Sequence, residues 1–214
     1  VVEVKFCGLT RDEDVAVAVS LGASYVGAIF AGGPRARTVE QAEALFRDVP
    51  PEVGRVGVFA ADPAGRIGAV ARQAGLTVVQ LHGDPRAADV RALRDVFDGE
   101  VWGVIRATGS LLPDDATELF EEADAVVLDA KVAGRLGGTG VTLDWAPLAL
   151  TLEELRGGTP VVLAGGLSPA NVEEAVRLVA PQVVDVSSGV ESAPGVKDHD
   201  MMRAFMDAAR GRGE

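Results

Sequence analysis

The sequence predicts an α/β fold, a (β/α)8 TIM barrel formed by residues 1–214 as one domain. Three observations predict it. Short β-branched segments alternate with longer amphipathic ones about eight times in 214 residues, and a complete barrel of this kind needs roughly 200 to 250. The apolar segments run nearly unbroken, as strands buried on both faces do. The residues that interrupt the pattern, Cys7, Arg35, His82, Arg106, Asp129, Gly165-Gly166 and Ser187-Ser188-Gly189, fall at or just past the segments' C-terminal ends. A closed barrel gathers those positions on one face, whereas an open doubly wound sheet spreads them across its width.

The elements follow in order. Val2–Phe6 reads as the first strand, and Thr10-Arg11-Asp12-Glu13 as a capping box opening a helix over Asp12–Leu21, which Gly22 stops. Tyr25–Ile29 and Val39–Phe46 form the second unit, and Arg55–Phe59 and Pro63–Ala74 the third, stopped by Gly75. Thr77–Leu81 with Pro85–Phe97 is the fourth. Val101–Ile105 with Asp114–Glu122 and Ala125–Leu128 with Asp144–Leu150 follow, and their helices have the faintest periodicity. Val161–Leu163 leads into Ser168-Pro169, a cap and then a first-turn proline, opening Pro169–Val179. Val183–Val186 and Asp198–Ala209 complete the eighth unit. No Pro/Ser-rich linker or break in composition marks a domain boundary.

Composition limits the function. Apolar residues make up 48% and charged residues 24%, enough for a large core inside a charged surface, and no signal peptide or membrane span is expected. The one cysteine excludes an internal disulfide and a cysteine-based zinc cluster, and it fits a reducing cytoplasm. With only two histidines, a zinc site built from several of them is excluded as well. A net charge of −12 argues against a nucleic-acid partner. An anionic small molecule would then need positive potential supplied locally by its site.

The two glycine-bearing loops after strands seven and eight, Leu163-Ala164-Gly165-Gly166-Leu167 and Asp185-Val186-Ser187-Ser188-Gly189, suit a phosphate better than plain tight turns. Backbone N–H groups can approach an anion there, and a helix N-terminus adds partial positive charge. No dinucleotide or Walker pattern accompanies them. Cys7 is either a small buried hydrophobe or a reactive thiol, and strand alternation puts Lys5 on its side of the barrel. An ammonium there would favour the thiolate unless Lys5 is committed to an ion pair, for which Asp185 is the candidate. Asp129 either caps the next segment or, partly buried, holds a proton near neutral pH. Arg35 is a carboxylate fork or a solvated charge, and His82 contacts a ligand or a loop carbonyl. Gly137-Gly138-Thr139-Gly140 is a lid or a passive connection.

Taken together, Lys5-Phe6-Cys7-Gly8-Leu9-Thr10, Gln80-Leu81-His82-Gly83, Gly137–Gly140, Leu163–Leu167 and Asp185–Glu191 followed by Pro194-Gly195 and Lys197-Asp198 resemble the phosphoribosylanthranilate isomerase family across essentially the whole chain. The resemblance implies an Amadori rearrangement in tryptophan biosynthesis, with no metal and no organic cofactor. It implies Asp129 as general acid, Cys7 as base, and Arg35 at the anthranilate carboxylate. His82 and Asp185 would contact the substrate, Asp185 at a sugar hydroxyl, with Gly165, Gly166, Ser188 and Gly189 at the phosphate. The partner is a phosphorylated small molecule, with neither nucleic acid nor membrane, and the chain would act as a monomer or homodimer. One departure stands out: Gly33-Pro34-Arg35 replaces the family's usual Ser-Pro-Arg, which leaves the pose of the anthranilate ring open.

Three other readings carry less weight. The related isomerase of histidine biosynthesis, or a dual-specificity form, has an aspartate where this chain has Cys7. A Schiff-base aldolase needs an inner-strand lysine, and of Lys5, Lys131 and Lys197 only Lys5 lies in a predicted strand. A non-catalytic phosphate-ligand binder would have no need of both Cys7 and Asp129.

Overall fold

The computed structural model describes residues 1–130 and 143–211. The Gly137–Gly140 segment and Lys131 lie outside the described residues. Eight strands alternate with eight helices: β1 (Glu3–Phe6), α1 (Asp12–Ser20), β2 (Tyr25–Ile29), α2 (Val39–Phe46), β3 (Gly54–Phe59), α3 (Ala64–Gln73), β4 (Val78–Leu81), α4 (Ala87–Arg94), β5 (Glu100–Ala107), α5 (Ala116–Glu122), β6 (Ala125–Ala130), α6 (Trp145–Leu155), β7 (Val161–Leu163), α7 (Val172–Val179), β8 (Val183–Val186) and α8 (His199–Ala209). The strands form a closed barrel in sequence order, each parallel to its neighbours. Pairing of β1 with β8 closes it, with Lys5 opposite Asp185.

Period-two alternation sorts the apolar side chains into two cores. Val4, Phe6, Val26, Val79, Leu81, Val126, Leu128, Val184 and Val186 point outward into the layer between sheet and helices. Val56, Val78, Trp102, Val104, Ala125, Val127, Val162 and Val183 fill the barrel interior. The same alternation sends Lys5, Gln80, Asp129 and Asp185 inward, where they form a buried polar layer above the apolar one. Fold and site are thus set by one pattern. The apolar interior is a packed floor, and the polar layer opens toward the strands' C-terminal ends.

Three local expectations are corrected, and one feature is added. Thr10 does not cap α1: Arg11 is the N-cap residue, with no side-chain capping bond to the helix backbone, and the Thr10 hydroxyl donates to the Gly195 carbonyl. The buried Asp14 takes over the organising role, accepting from Arg11 at 2.6 and 2.9 Å and from the Lys197 amide at 3.2 Å, with His199 Nε2 at 2.9 Å. Two segments distant in sequence meet there. The helix after β7 begins at Val172 rather than at Pro169, because Ser168–Asn171 form a turn in which the Ser168 amide donates to Asn171 Oδ1 at 2.8 Å. α6 extends past Leu150 to Leu155. Finally, a short antiparallel pair, β9 (Glu191–Ala193) and β10 (Val196–Lys197), follows β8 outside the barrel.

Candidate active site

A cavity of about 460 Å3 opens at the C-terminal ends of the strands. Cys7, Arg35, His82, Asp129 and Asp185 line it, as do Gly165, Gly166, Ser188 and Gly189, so every site residue singled out from the sequence reaches one space. Among the described residues no group of three or more His, Cys, Asp or Glu is placed to hold a metal ion.

The floor is polar. Lys5, fully buried, donates from Nζ to Asp185 Oδ2 at 2.8 Å and to Gln80 Oε1 at 3.0 Å. Burial pulls its pKa down, but the net direction is up, led by the charge and hydrogen bond of Asp185. Lys5 therefore stays an ammonium, and in that form it is no Schiff-base nucleophile. Asp185 Oδ1 is buried with no partner among the described residues, an acceptor left open beside the cavity.

One wall pairs Asp129 with His82. Asp129 is 5% exposed, and Oδ1 accepts from the Ala130 amide at 2.8 Å. Burial raises its pKa to about 6, against the Ala130 hydrogen bond and with help from Asp185. A useful fraction of it keeps a proton near neutral pH. His82 Nε2 lies 3.6 Å from Asp129 Oδ2. Burial, with Lys5 and Arg106 nearby, lowers His82 to about 4, so its imidazole is neutral.

The opposite wall is cationic. Arg35 grips Glu191 in a two-point contact, Nε to Oε1 at 2.8 Å and Nη2 to Oε2 at 2.6 Å. Lys197 Nζ donates to the same Glu191 at 2.8 Å and to the Ser187 carbonyl at 2.9 Å. Two cations face one carboxylate, and the cluster keeps a net positive charge inside an acidic molecule. Arg35 Nη1 has no protein acceptor among the described residues.

The loops after β7 and β8 meet above the floor. A side chain at Gly189 would collide with the Leu167 carbonyl, so only glycine lets the two loops touch. Gly165, at φ +81°, has no room for a Cβ beside Asp129 and the Ala130 amide. The Gly165 and Gly166 amides donate to no protein acceptor among the described residues. A short 310 helix opens at Ser188, and the first N–H groups of such a turn also lack internal partners. Such an arrangement of free N–H groups between the last two strands can accept an anion.

A sequence model described as N-(5'phosphoribosyl)anthranilate (PRA) isomerase matches residues 4–208. The chain belongs to this family. A relative from Paramagnetospirillum magneticum named N-(5'-phosphoribosyl)anthranilate isomerase is 41% identical over 214 residues, covering 98% of each chain. The structure of phosphoribosyl anthranilate isomerase from Thermotoga maritima superposes with a TM-score of 0.87 at 34% identity, over 99% of this chain and 100% of that one. A further isomerase structure, in complex with reduced 1-(o-carboxyphenylamino)-1-deoxyribulose 5-phosphate, superposes at 0.83 with 33% identity, over 99% and 100% of the two chains.

Set in this isomerase family, the thiol follows the second of its two readings. Lys5 is committed to the ion pair with Asp185, and burial raises the thiol above its ordinary 9.0 despite Lys5 and Lys197. Asp185, bonded to Lys5, cancels much of that lysine's field and itself pushes Cys7 upward. The resting group is the neutral thiol. Because Cys7 is the only cysteine, iodoacetamide labelling reads it without ambiguity. The rate is expected to rise with pH to a midpoint above 9, and to be slower than that of a free thiol at pH 8. A midpoint below 8 would show that the lysines prevail.

Three residues of the site were not singled out as site residues: Gln80, Glu191 and Lys197. Each lies in a quoted motif, and the only further signal was charge on both sides of the Pro194-Gly195 turn.

Proposed function

We propose that Asp129 and Cys7 carry the proton transfers of the family's reaction, the aldose–ketose isomerisation of N-(5'-phosphoribosyl)anthranilate in tryptophan biosynthesis. The observation that carries this reading is the pairing, in one cavity, of a buried carboxyl raised to about 6 with a buried thiol. Asp129 delivers its proton to the furanose ring oxygen as the C1′–O bond breaks. The nitrogen lone pair moves in to form the iminium, and Asp129 is left as carboxylate. The new positive charge beside Cys7 favours the thiolate, the thiol's own proton passing to solvent water in the open cavity. Cys7 then takes the C2′ proton, the electron pair flows to the iminium nitrogen, and the resulting enol tautomerises to the ketone. The substrate's own nitrogen is the electron sink, so the residues present suffice and no cofactor is invoked.

Binding follows the charges. The Gly165-Gly166 and Ser188-Gly189 backbone cradles the phosphate, and Asp185 Oδ1 accepts from a sugar hydroxyl, which satisfies a buried oxygen that otherwise has no partner. His82 lines the substrate's path beside Asp129. Arg35 offers Nη1 to the anthranilate carboxylate while Glu191 holds its other edge. Gly33, where the family usually has serine, leaves that contact to the guanidinium alone. The lone thiol and the anionic substrate fit a cytoplasmic enzyme.

Arg35→Ala is expected to raise KM about 10- to 100-fold with a smaller change in kcat, the loss of one charge-assisted contact. Thermal stability is expected to change little, because Glu191 keeps Lys197. Steady-state kinetics with a melting curve checks both. A large fall in kcat at unchanged KM would remove Arg35 from carboxylate binding.

A further inference from the structure

Four side chains form a chain of polar contacts from the barrel floor to the catalytic wall. Lys5 Nζ reaches Gln80 Oε1 at 3.0 Å, Gln80 Nε2 lies 3.4 Å from His82 Nδ1, and His82 Nε2 lies 3.6 Å from Asp129 Oδ2. We propose that Gln80 is a positioning residue that fixes the tautomer of His82, so that the imidazole presents Nε2–H, never a lone pair, to Asp129. The tautomer assignment stands on this geometry and on a neutral ring, and its catalytic consequence rests on Asp129 being the acid.

The direction of each contact follows from what each group can do. An ammonium has donors and no acceptor. Lys5, already bound to Asp185 at 2.8 Å, therefore fixes the Gln80 amide with its oxygen toward Lys5. A flipped amide would set NH2 against NH3+. With the oxygen so placed, the Gln80 NH2 faces His82 Nδ1, which must accept. A neutral imidazole carries one N–H, and with Nδ1 accepting it must lie on Nε2. Burial, Lys5 and Arg106 keep the ring neutral at physiological pH.

The consequence falls on Asp129. Its Oδ1 already accepts from the Ala130 amide, so the acidic proton sits on Oδ2. The opposite tautomer would offer Oδ2 a lone pair and draw that proton onto the ring. Nε2–H offers no acceptor, so the Oδ2 proton is directed into the cavity, toward substrate. Once the proton has left, the carboxylate finds donors at both oxygens. The 3.6 Å separation is longer than a formed hydrogen bond, and catalytic contacts of this kind commonly tighten when substrate is bound.

The chain has only two histidines, His82 and His199, so long-range 1H–15N correlation spectra of the full protein resolve both imidazoles, and His199→Gln assigns them. At pH 7 the His82 Nδ1 is expected to resonate as an unprotonated nitrogen and Nε2 as a protonated one. Gln80→Glu keeps the shape and replaces the donor with an acceptor, so Nδ1 becomes protonated. Its kcat is expected to fall about 10- to 100-fold with KM within threefold, part of the 100- to 10,000-fold attributable to a general acid. Gln80→Met keeps the volume, leaves Lys5 with Asp185, and is expected to show mixed tautomers and an intermediate kcat. A protonated Nδ1 in the wild type, or an unprotonated one in Gln80→Glu, overturns the assignment. A protonated Nδ1 in Gln80→Glu with normal kcat overturns the positioning role. Asp129→Asn, assayed alongside, isolates the underlying reading: full turnover there removes the acid itself, whatever the tautomer.

Discussion

Asp129→Asn is expected to lower kcat at least about a hundredfold and, at pH 7, to raise the melting temperature. Both effects have one cause. In the folded chain burial holds the Asp129 carboxyl at about 6, against an ordinary 3.8. A group raised in this way adds stability that is fully present below its unfolded value and is lost as pH rises through the folded one. At pH 7 it is mostly ionised and works against folding, by the order of 3 kcal/mol on the arithmetic of the displacement. Asparagine keeps the shape and an oxygen for the Ala130 amide, carries no charge, and has no proton to give. Each kcal/mol recovered is worth about 2 to 4 °C for a chain of this size. The difference between variant and wild type is expected to shrink as pH falls through about 6 toward 4. Melting curves across that range, with kinetics at pH 7, test both effects. Lost turnover with a lowered melting temperature would point to disruption rather than to removal of an acid.

Cys7→Ala is expected to lower kcat by a comparable factor, at least about a hundredfold, because proton removal from C2′ has no substitute base. The thiol is 7% exposed and sits at the end of β1, with its amide bonded to the Val186 carbonyl at 2.9 Å, a contact that alanine preserves. Binding of the reduced product analogue is therefore expected to stay within a few fold. Cys7→Ser should not rescue turnover, since a hydroxyl ionises far less readily than a thiol. Near-normal turnover in Cys7→Ala would move the base elsewhere, leaving the reaction itself in place.

Strand alternation carried most of the fold. Tyr25–Ile29, Val39–Phe46, Val161–Leu163 and Val183–Val186 have the boundaries read from the sequence, because unbroken β-branched runs and clear caps leave little choice of register. The cavity's position was equally legible, since any residue one step past a strand end must reach the same face. Less legible was whatever depends on partners far along the chain. Glu191 meets Arg35 across 156 residues, and no local pattern links an arginine after β2 to a carboxylate in a hairpin beyond β8. The direction of the Cys7 thiol was left open, since the sequence offered both Lys5 as its neighbour and Asp185 as the carboxylate that could hold that lysine. The Lys5–Asp185 pair is formed, whereas the depth of burial that raises the thiol was a property of the closed barrel. Thr10 turned from a cap into a donor to Gly195 once the chain's ends met.

The most direct test of the central claim is a fluorescence assay of purified wild-type protein on freshly made N-(5'-phosphoribosyl)anthranilate, run with and without prior alkylation of the sole thiol. The account predicts loss of substrate fluorescence at a rate proportional to enzyme, and at least about a hundredfold slower after alkylation. Folded protein that binds the reduced product analogue yet leaves the substrate unconsumed would contradict it.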